Sequence, residues 1–345
     1  MTELLEALNQ RDTINRLMYD VHRAMLTNEN ESIDSIRREY TYRMRRLVDN
    51  LTNINAAFLS GQNPSYEQWK ALQLDAQSAR AIAEEMSTFR ADLIGQLEKD
   101  IRDTFKNNYN AAVWAIDQTT PFNVDPAYNL PADHVLDLLF QEPWDGQRFS
   151  DRVWKITDDW ARNIQNQLSD SILKGDSVPE MARKIRDYVG VPANERLMSR
   201  PRASAQLYRA TLIARTEMIR AGRMAQDRVY TDNADIVEDK VWSAKPGLLG
   251  VCELCRERDG KTPEEILAAG LPLEEHPNGR CSWIPKLKSW SEMLDPVIQD
   301  IKDAPGKLSK DLMIQPNEFG NLKPVKIEPF QEWSIQYLTD KERAQ

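Results

Sequence analysis

Residues 203–230 read ASAQLYRATLIARTEMIRAGRMAQDRVY. No proline interrupts the stretch, and its apolar positions keep helical spacing. Leu207, Ala214, Met218, Ala221, Ala225 and Val229 follow one another at steps of three, four or seven, which puts them on one face. Arg209, Thr216, Arg220, Arg223 and Asp227 fall on the opposite face. An apolar stripe rich in alanine implies close packing by a neighbour. Arg215 and Glu217 sit on opposite shoulders of this helix, so they cannot pair with each other. Each is expected to reach a different element, either as a fold-holding ion pair or at a partner surface.

Downstream the period changes. Residues 236–243 alternate and include Val241 and Trp242, the pattern of a strand. Ser282-Trp283-Ile284 is the candidate returning strand. Upstream, Ser150 is a candidate N-cap for a helix whose apolar positions are Val153, Trp160, Ile164, Leu168 and Ile172, with Gly175 at its end. Ser177-Val178-Pro179-Glu180 has the form of a capping box and opens a short helix to about Tyr188. A polar loop covers 190–201.

The N-terminal third reads as two long helices. Ile33, Ile36, Tyr40, Leu47, Leu51, Ile54 and Phe58 form one stripe, and Ile82, Met86, Phe89, Leu93, Leu97, Ile101 and Phe105 form another. Gly61-Gln62-Asn63-Pro64 is turn chemistry between them. A helical hairpin or coiled-coil arm follows over residues 1–120. Residues 121–144 read as a linker and 145–287 as the main domain. Residues 288–345 read as an extended tail, because prolines recur at 296, 305, 316, 324 and 329. Within that tail, 330–338 is an amphipathic patch suited to a docking helix. The expected fold class is mainly α, with a small α+β element toward the C-terminus.

Composition narrows the function. The 345 residues are 41% hydrophobic and 29% charged, with a mean hydropathy of −0.61 and a formal net charge of −9. The acidic total disfavours a generic nucleic-acid binder. Local basic runs exist at Arg37, Arg38, Arg43, Arg45 and Arg46, and at Arg209, Arg220 and Arg223. They leave weak contact with DNA open. No apolar run reaches the roughly 18 residues that span a bilayer. The first residues are polar and acidic, unlike a signal peptide, and a cytoplasmic site of synthesis is expected.

All three cysteines, Cys252, Cys255 and Cys281, lie close together with His276, one of three histidines. Two thiolates in a C-x2-C turn can reach one ion, and His276 with Cys281 would complete a tetrahedral Cys3His zinc site. Four protein ligands leave no open position for water, so such a site would be structural. The segment between, 256–275, looks too polar to fold unaided, and a metal would supply the missing stability. The other reading makes the cysteines small buried hydrophobes and His276 a surface turn residue. His22 and His134 lie among ordinary helical residues and suggest no role.

These motifs resemble those of the phage Mu F-like minor head proteins. That family carries A-R-T-E on a helix, a basic stretch, a tryptophan-bearing strand, C-x2-C, Asp-Gly and H-P-N-C-R-C. The corresponding residues are Ala214-Arg215-Thr216-Glu217, Gly222-Arg223, Val241-Trp242, Cys252 and Cys255, Asp259-Gly260, and 276–281. Gly175-Asp176-Ser177 and Glu180 match the family's lead-in. The likeness covers 145–287. One departure is Gly279, where the family has cysteine, so that His276 would have to serve as ligand.

The resemblance implies a non-enzymatic minor capsid protein made in few copies. It would be assembled in the host cytoplasm and held inside the virion near the portal vertex. Its implied partners are the portal protein and the inner capsid surface; separately, the long N-terminal helices are expected to self-associate or bind a scaffold. Its implied role is in procapsid assembly and in DNA packaging or ejection. Arg215, Thr216, Glu217, Arg223 and Trp242 are the structural or partner-binding residues it suggests.

Three rivals share some of these features. An HNH-type nuclease would use Glu275-His276 beside the C-x2-C, but it needs further ligands downstream. A zinc-knuckle DNA-binding module would need a basic surface where Glu253, Glu257, Glu264, Glu265, Glu274 and Glu275 stand. A fused toxin would need a catalytic domain in the short region after Pro285.

Overall fold

The computed structural model describes residues 2–59, 67–120, 126–141, 147–174, 176–189, 205–244, 251–273, 279–289 and 292–293. The expected turn at 61–64, the loop at 190–201, His276 and nearly all of the 288–345 tail lie outside the described residues, as does the 330–338 patch.

The described chain is mainly helical. The two long helices are α1 (Thr2–Leu59) and α2 (Glu67–Asp117), and neither contains a proline. Two single-turn helices, α3 (Asp133–Leu136) and α4 (Leu138–Gln141), fall in the expected linker. Then come α5 (Phe149–Leu173), α6 (Val178–Val189) and α7 (Ala205–Asp232). Strands β1 (Val237–Ser243) and β2 (Ser282–Leu287) form one antiparallel pair, with α8 (Glu253–Arg258) and α9 (Pro263–Ala268) between them in sequence. Trp242 pairs with Trp283, and Lys240 pairs with Pro285. Proline is tolerated at an edge, where no partner strand needs its missing N–H.

The chain forms two compact units. One comprises Thr27–Arg102 and Ala132–Met218. The other comprises Met1–Leu26, Asp103–Pro131 and Ile219–Gln345. Thus α1, α2 and α7 each contribute residues to both.

In the first unit most positions of the predicted stripes are core. Ile33, Tyr40, Leu47, Leu51, Ile82, Phe89 and Leu97 are all buried. Tyr40, Phe89 and Trp160 of α5 make an aromatic cluster, with ring centroids 5.2–5.9 Å apart. Each such ring adds roughly 0.5–1.5 kcal/mol per pair beyond its area burial. The Tyr40 hydroxyl donates to the Val189 carbonyl at 2.8 Å, which ties α1 to the end of α6. Arg90 of α2 lies 3.5 Å from the centroid of Trp154 and donates to Thr157.

Two local features differ from expectation. Arg148, not Ser150, occupies the N-cap of α5, with extended backbone and no side-chain cap bond. Phe149 explains the shift: it is buried and packs 5.9 Å from Phe140. Burying a phenylalanine contributes about 1.5–3 kcal/mol, more than the ~1 kcal/mol typical of a cap. At α6 half of the capping box forms, with Ser177 N–H donating to Glu180 Oε2 at 3.0 Å.

The second difference is in the segment expected to need a metal. It contains α8 and α9, and α9 opens on a complete capping box. Thr262 N–H donates to Glu265 Oε2 at 2.8 Å, and Glu265 N–H donates to Thr262 Oγ1 at 3.3 Å. Pro263 stands in the first turn and Ile266 is fully buried. Threonine-proline-glutamate-glutamate at 262–265 is a start signal in its own right.

Candidate functional site

The site is built on the C-terminal half of α7. This helix is not split into a buried face and a solvated one. Arg223, assigned above to the polar face, is buried, whereas Arg209 is exposed. The reason is β2, which runs beside α7 and offers backbone acceptors to it. Arg223 Nε donates to the Cys281 carbonyl at 2.7 Å, and its Nη2 donates to the same oxygen. Ser282 Oγ donates to Gln226 Oε1 at 2.6 Å, and Tyr230 donates to the Trp283 carbonyl at 3.2 Å. Burial holds the Tyr230 phenol well above its usual range, so it stays a donor. On the β1 side, Lys240 pairs with Asp227 at 2.6 Å.

Trp242 is the centre of the arrangement. It is 2% exposed and meets Trp283 edge-on at 4.8 Å between centroids. The Arg223 and Arg258 guanidinium carbons lie 5.4 and 5.5 Å from its ring centroid. Desolvated cation–π contacts of this kind contribute up to about 2 kcal/mol each. The Asp259-Gly260 turn is bonded to the same strand. Gly260 N–H donates to the Trp242 carbonyl, and Trp242 N–H donates to the Lys261 carbonyl, both at 2.8 Å. Asp259 Oδ1 accepts from Ala244 N–H at 2.8 Å. Gly260 has a φ of +77°, the left-handed conformation that the turn requires and glycine adopts without strain.

Cys255 is the link between the other two cysteines. Cys252 caps α8, its sulfur accepting from the Cys255 N–H at 3.4 Å. The Cys255 side chain lies within hydrogen-bonding reach of both the Cys252 and Cys281 sulfurs. Cys255 and Cys281 are buried, and Cys252 is exposed. Burial, chiefly, pushes both buried thiols above the ordinary cysteine range. Thiolates are ligands for soft or borderline metal ions. Among the described residues, no group of three or more His, Cys, Asp and Glu side chains is placed to hold a metal ion.

Arg215, Thr216 and Glu217 belong to the other unit, where their bonds are internal. Arg215 pairs with fully buried Glu29 of α1. Glu217 pairs with Arg152 of α5 at 3.0 Å, with side chains 5% and 10% exposed. Thr216 bonds back to the Leu212 carbonyl at 2.8 Å. The shoulder placement of Arg215 and Glu217 therefore leads to two separate partners, as their spacing required. The basic run on α1 is largely matched by acids: Arg43 contacts Glu39, Glu85 and Asp92, and Arg37 contacts Asp34.

One residue was missed. His22 is 2% exposed, and neither ring nitrogen reaches hydrogen-bond geometry, although the Arg280 backbone lies beside it. Burial first, then the Arg223 charge, lowers its pKa from 6.5 to about 3, so the ring is neutral. No local sequence signal marks it, because its surroundings come from residues more than 200 positions away. Comparison with models of protein families, with curated proteins and with solved structures gives no match to this chain.

Proposed function

We propose that this chain is a bacteriophage minor head protein that sits inside the capsid near the portal vertex and acts in procapsid assembly and DNA packaging or ejection. One observation carries the reading. The motif residues that suggest the family run from Ala214 to Cys281, and five of them converge in one unit. Arg223 holds the Cys281 carbonyl and stands over Trp242, and Trp242 in turn accepts from Gly260 in the Asp259-Gly260 turn. Chance matches to a spaced pattern have no reason to meet in space.

The resemblance implies a structural zinc, for which thiolates are suitable ligands. Cys252, Cys255 and Cys281 would hold it, with His276 as the fourth ligand in place of the family's cysteine at Gly279. Zinc there would cross-link α8 to the start of β2 and neutralise the cost of burying thiolates beside Arg223. The protein's own residues then act as a scaffold: α7 and the strand pair present a rigid surface to the portal protein and inner capsid. The long helices supply area for self-association.

Two measurements test this. Quantitative mass spectrometry of full particles and empty procapsids should find the chain at a few copies in both; absence from both refutes the head-protein reading. Elemental analysis of the purified full-length chain should find about one zinc per chain, lost on Cys255→Ser. A metal-free protein with unchanged thermal stability after zinc addition refutes the ligand set.

A further inference from the structure

Cys252, Cys255 and Cys281 are all the cysteines of the chain, and they form a line of contacts with Cys255 in the middle. Cys252 caps α8, and its sulfur accepts from the Cys255 N–H at 3.4 Å. The Cys255 side chain reaches both the Cys252 and the Cys281 sulfurs. Exposure is graded along this line: Cys252 is exposed, whereas Cys255 and Cys281 are buried. Both ends of the inner contact are held in place. Cys255 sits in α8, and the Cys281 carbonyl takes two bonds from buried Arg223 of α7. All of these residues belong to the unit that contains both strands.

Exposure and contact give the three sulfurs different tasks. An oxidant in solution meets the exposed sulfur first, and a thiol touching that sulfur resolves the product. Burial shields Cys255 from reagents in solution, so its reaction partners are the two sulfurs it touches. Of the two bonds open to Cys255, the one to Cys281 closes the longer loop and constrains the unfolded chain more. That bond also fastens α8 to the residue that leads into β2.

We infer that Cys252 is an oxidation site and that Cys255 passes the oxidation inward, so that reaction with a peroxide ends in a Cys255–Cys281 disulfide. The Cys252 sulfur takes one peroxide oxygen as the O–O bond breaks. The other oxygen leaves as water, and Cys252 becomes a sulfenic acid. The Cys255 sulfur then bonds to the Cys252 sulfur. The S–O bond breaks, and the hydroxyl takes the Cys255 proton and leaves as water. Last, the Cys281 sulfur bonds to the Cys255 sulfur, the Cys252–Cys255 bond breaks, and Cys252 leaves as a thiol with the Cys281 proton. Two thiols have given two protons and two electrons to one peroxide, which has become two waters. The reaction belongs to the metal-free chain, and the inference depends neither on zinc nor on the head-protein reading.

The test uses the full-length chain, reduced, treated with EDTA and desalted, then exposed to about one equivalent of hydrogen peroxide at neutral pH. Samples are quenched with N-ethylmaleimide and mapped as peptides without reduction, and parallel samples carry dimedone to trap sulfenic acids. Dimedone should mark Cys252 alone. The end product should be the Cys255–Cys281 disulfide, with Cys252 alkylated by the maleimide. Cys281→Ser should stop at the Cys252–Cys255 bond, and Cys255→Ser should stop at dimedone-reactive Cys252. Cys252→Ser, a change at an exposed position, should form the Cys255–Cys281 bond at least about tenfold more slowly at the same peroxide concentration. The proposal is overturned if Cys252→Ser forms that bond at the wild-type rate, or if sulfenic acid appears first on Cys255 or Cys281. It is equally overturned by an end product that keeps the Cys252–Cys255 bond, by two chains joined through Cys252 as the main product, or by no disulfide within the chain.

Discussion

Gly222 and Gly95 both lie in helix interiors, and the structure assigns them opposite responses to alanine. In either case alanine improves helix propensity by about 1 kcal/mol. At Gly95 of α2 a new Cβ would meet nothing within 4 Å, so Gly95→Ala should stabilise by roughly that amount. At Gly222 of α7 the new Cβ would stand 2.5 Å from Met25 Sδ and 3.2 Å from Asn108 Nδ2. Normal contact is about 3.5–4.0 Å, so the sulfur must retreat by roughly 1 Å. Met25 is 1% exposed, and Asn108 is held by its bond to the Thr104 carbonyl at 2.8 Å, so there is little room to yield. Overpacking of this kind costs about 1–3 kcal/mol. The flexible methionine puts the cost near the middle of that range. Gly222→Ala should therefore lose about 1 kcal/mol net, some 2 kcal/mol below Gly95→Ala. Calorimetric melting of full-length variants should show this as Tm shifts of opposite sign, of about 2–4 °C per kcal/mol. If Gly222→Ala melts at or above Gly95→Ala, the close packing at Gly222 is refuted.

Three other outcomes follow from the same geometry. Glu217→Ala leaves buried Arg152 without its carboxylate and should cost about 3 kcal/mol or more in urea melts, whereas Arg152→Met with Glu217→Leu should cost far less; equal losses would show that the pair is not a buried unit. His22 has a folded pKa of about 3 against 6.5 unfolded, so below pH 6.5 the unfolded chain takes up a proton that the folded chain refuses. Its share of stability is full above pH 6.5 and is lost as pH falls toward 3, by about 1.4 kcal/mol per pH unit. His22→Leu should flatten that slope relative to wild type, and parallel slopes would contradict a buried neutral ring. With iodoacetamide at neutral pH and no added metal, exposed Cys252 should alkylate rapidly, while Cys255 and Cys281, buried and held protonated, lag behind. Peptide mapping that finds Cys255 as fast as Cys252 would undo the burial assigned to it.

Much of the helical fold was legible in the chain. Periodic stripes such as Ile82 to Phe105 and Leu207 to Val229 state which side of a helix is buried, and Val241-Trp242 with Ser282-Trp283-Ile284 mark a strand pair. Capping chemistry at 262–265 was equally present and marks α9, although the polar composition around it pointed the other way. The start of α5 was not legible from capping alone, since a single buried ring at Phe149 outweighs the cap of Ser150. The candidate site was half legible. C-x2-C brings Cys252 and Cys255 together by local geometry, whereas the approach of Cys281 depends on how β2 returns.

The sequence by itself determined the long helices, the strand pair and the separate fates of Arg215 and Glu217, because periodicity and side-chain spacing are local properties of the chain. Only the tertiary structure decided that Arg223 is buried on a β-strand carbonyl rather than solvated, and that His22 faces Trp242 across a cavity. A side chain's burial and bonding partner depend on which distant backbone arrives beside it. For Arg223 that backbone lies 58 residues further along the chain, a distance across which no local pattern carries information.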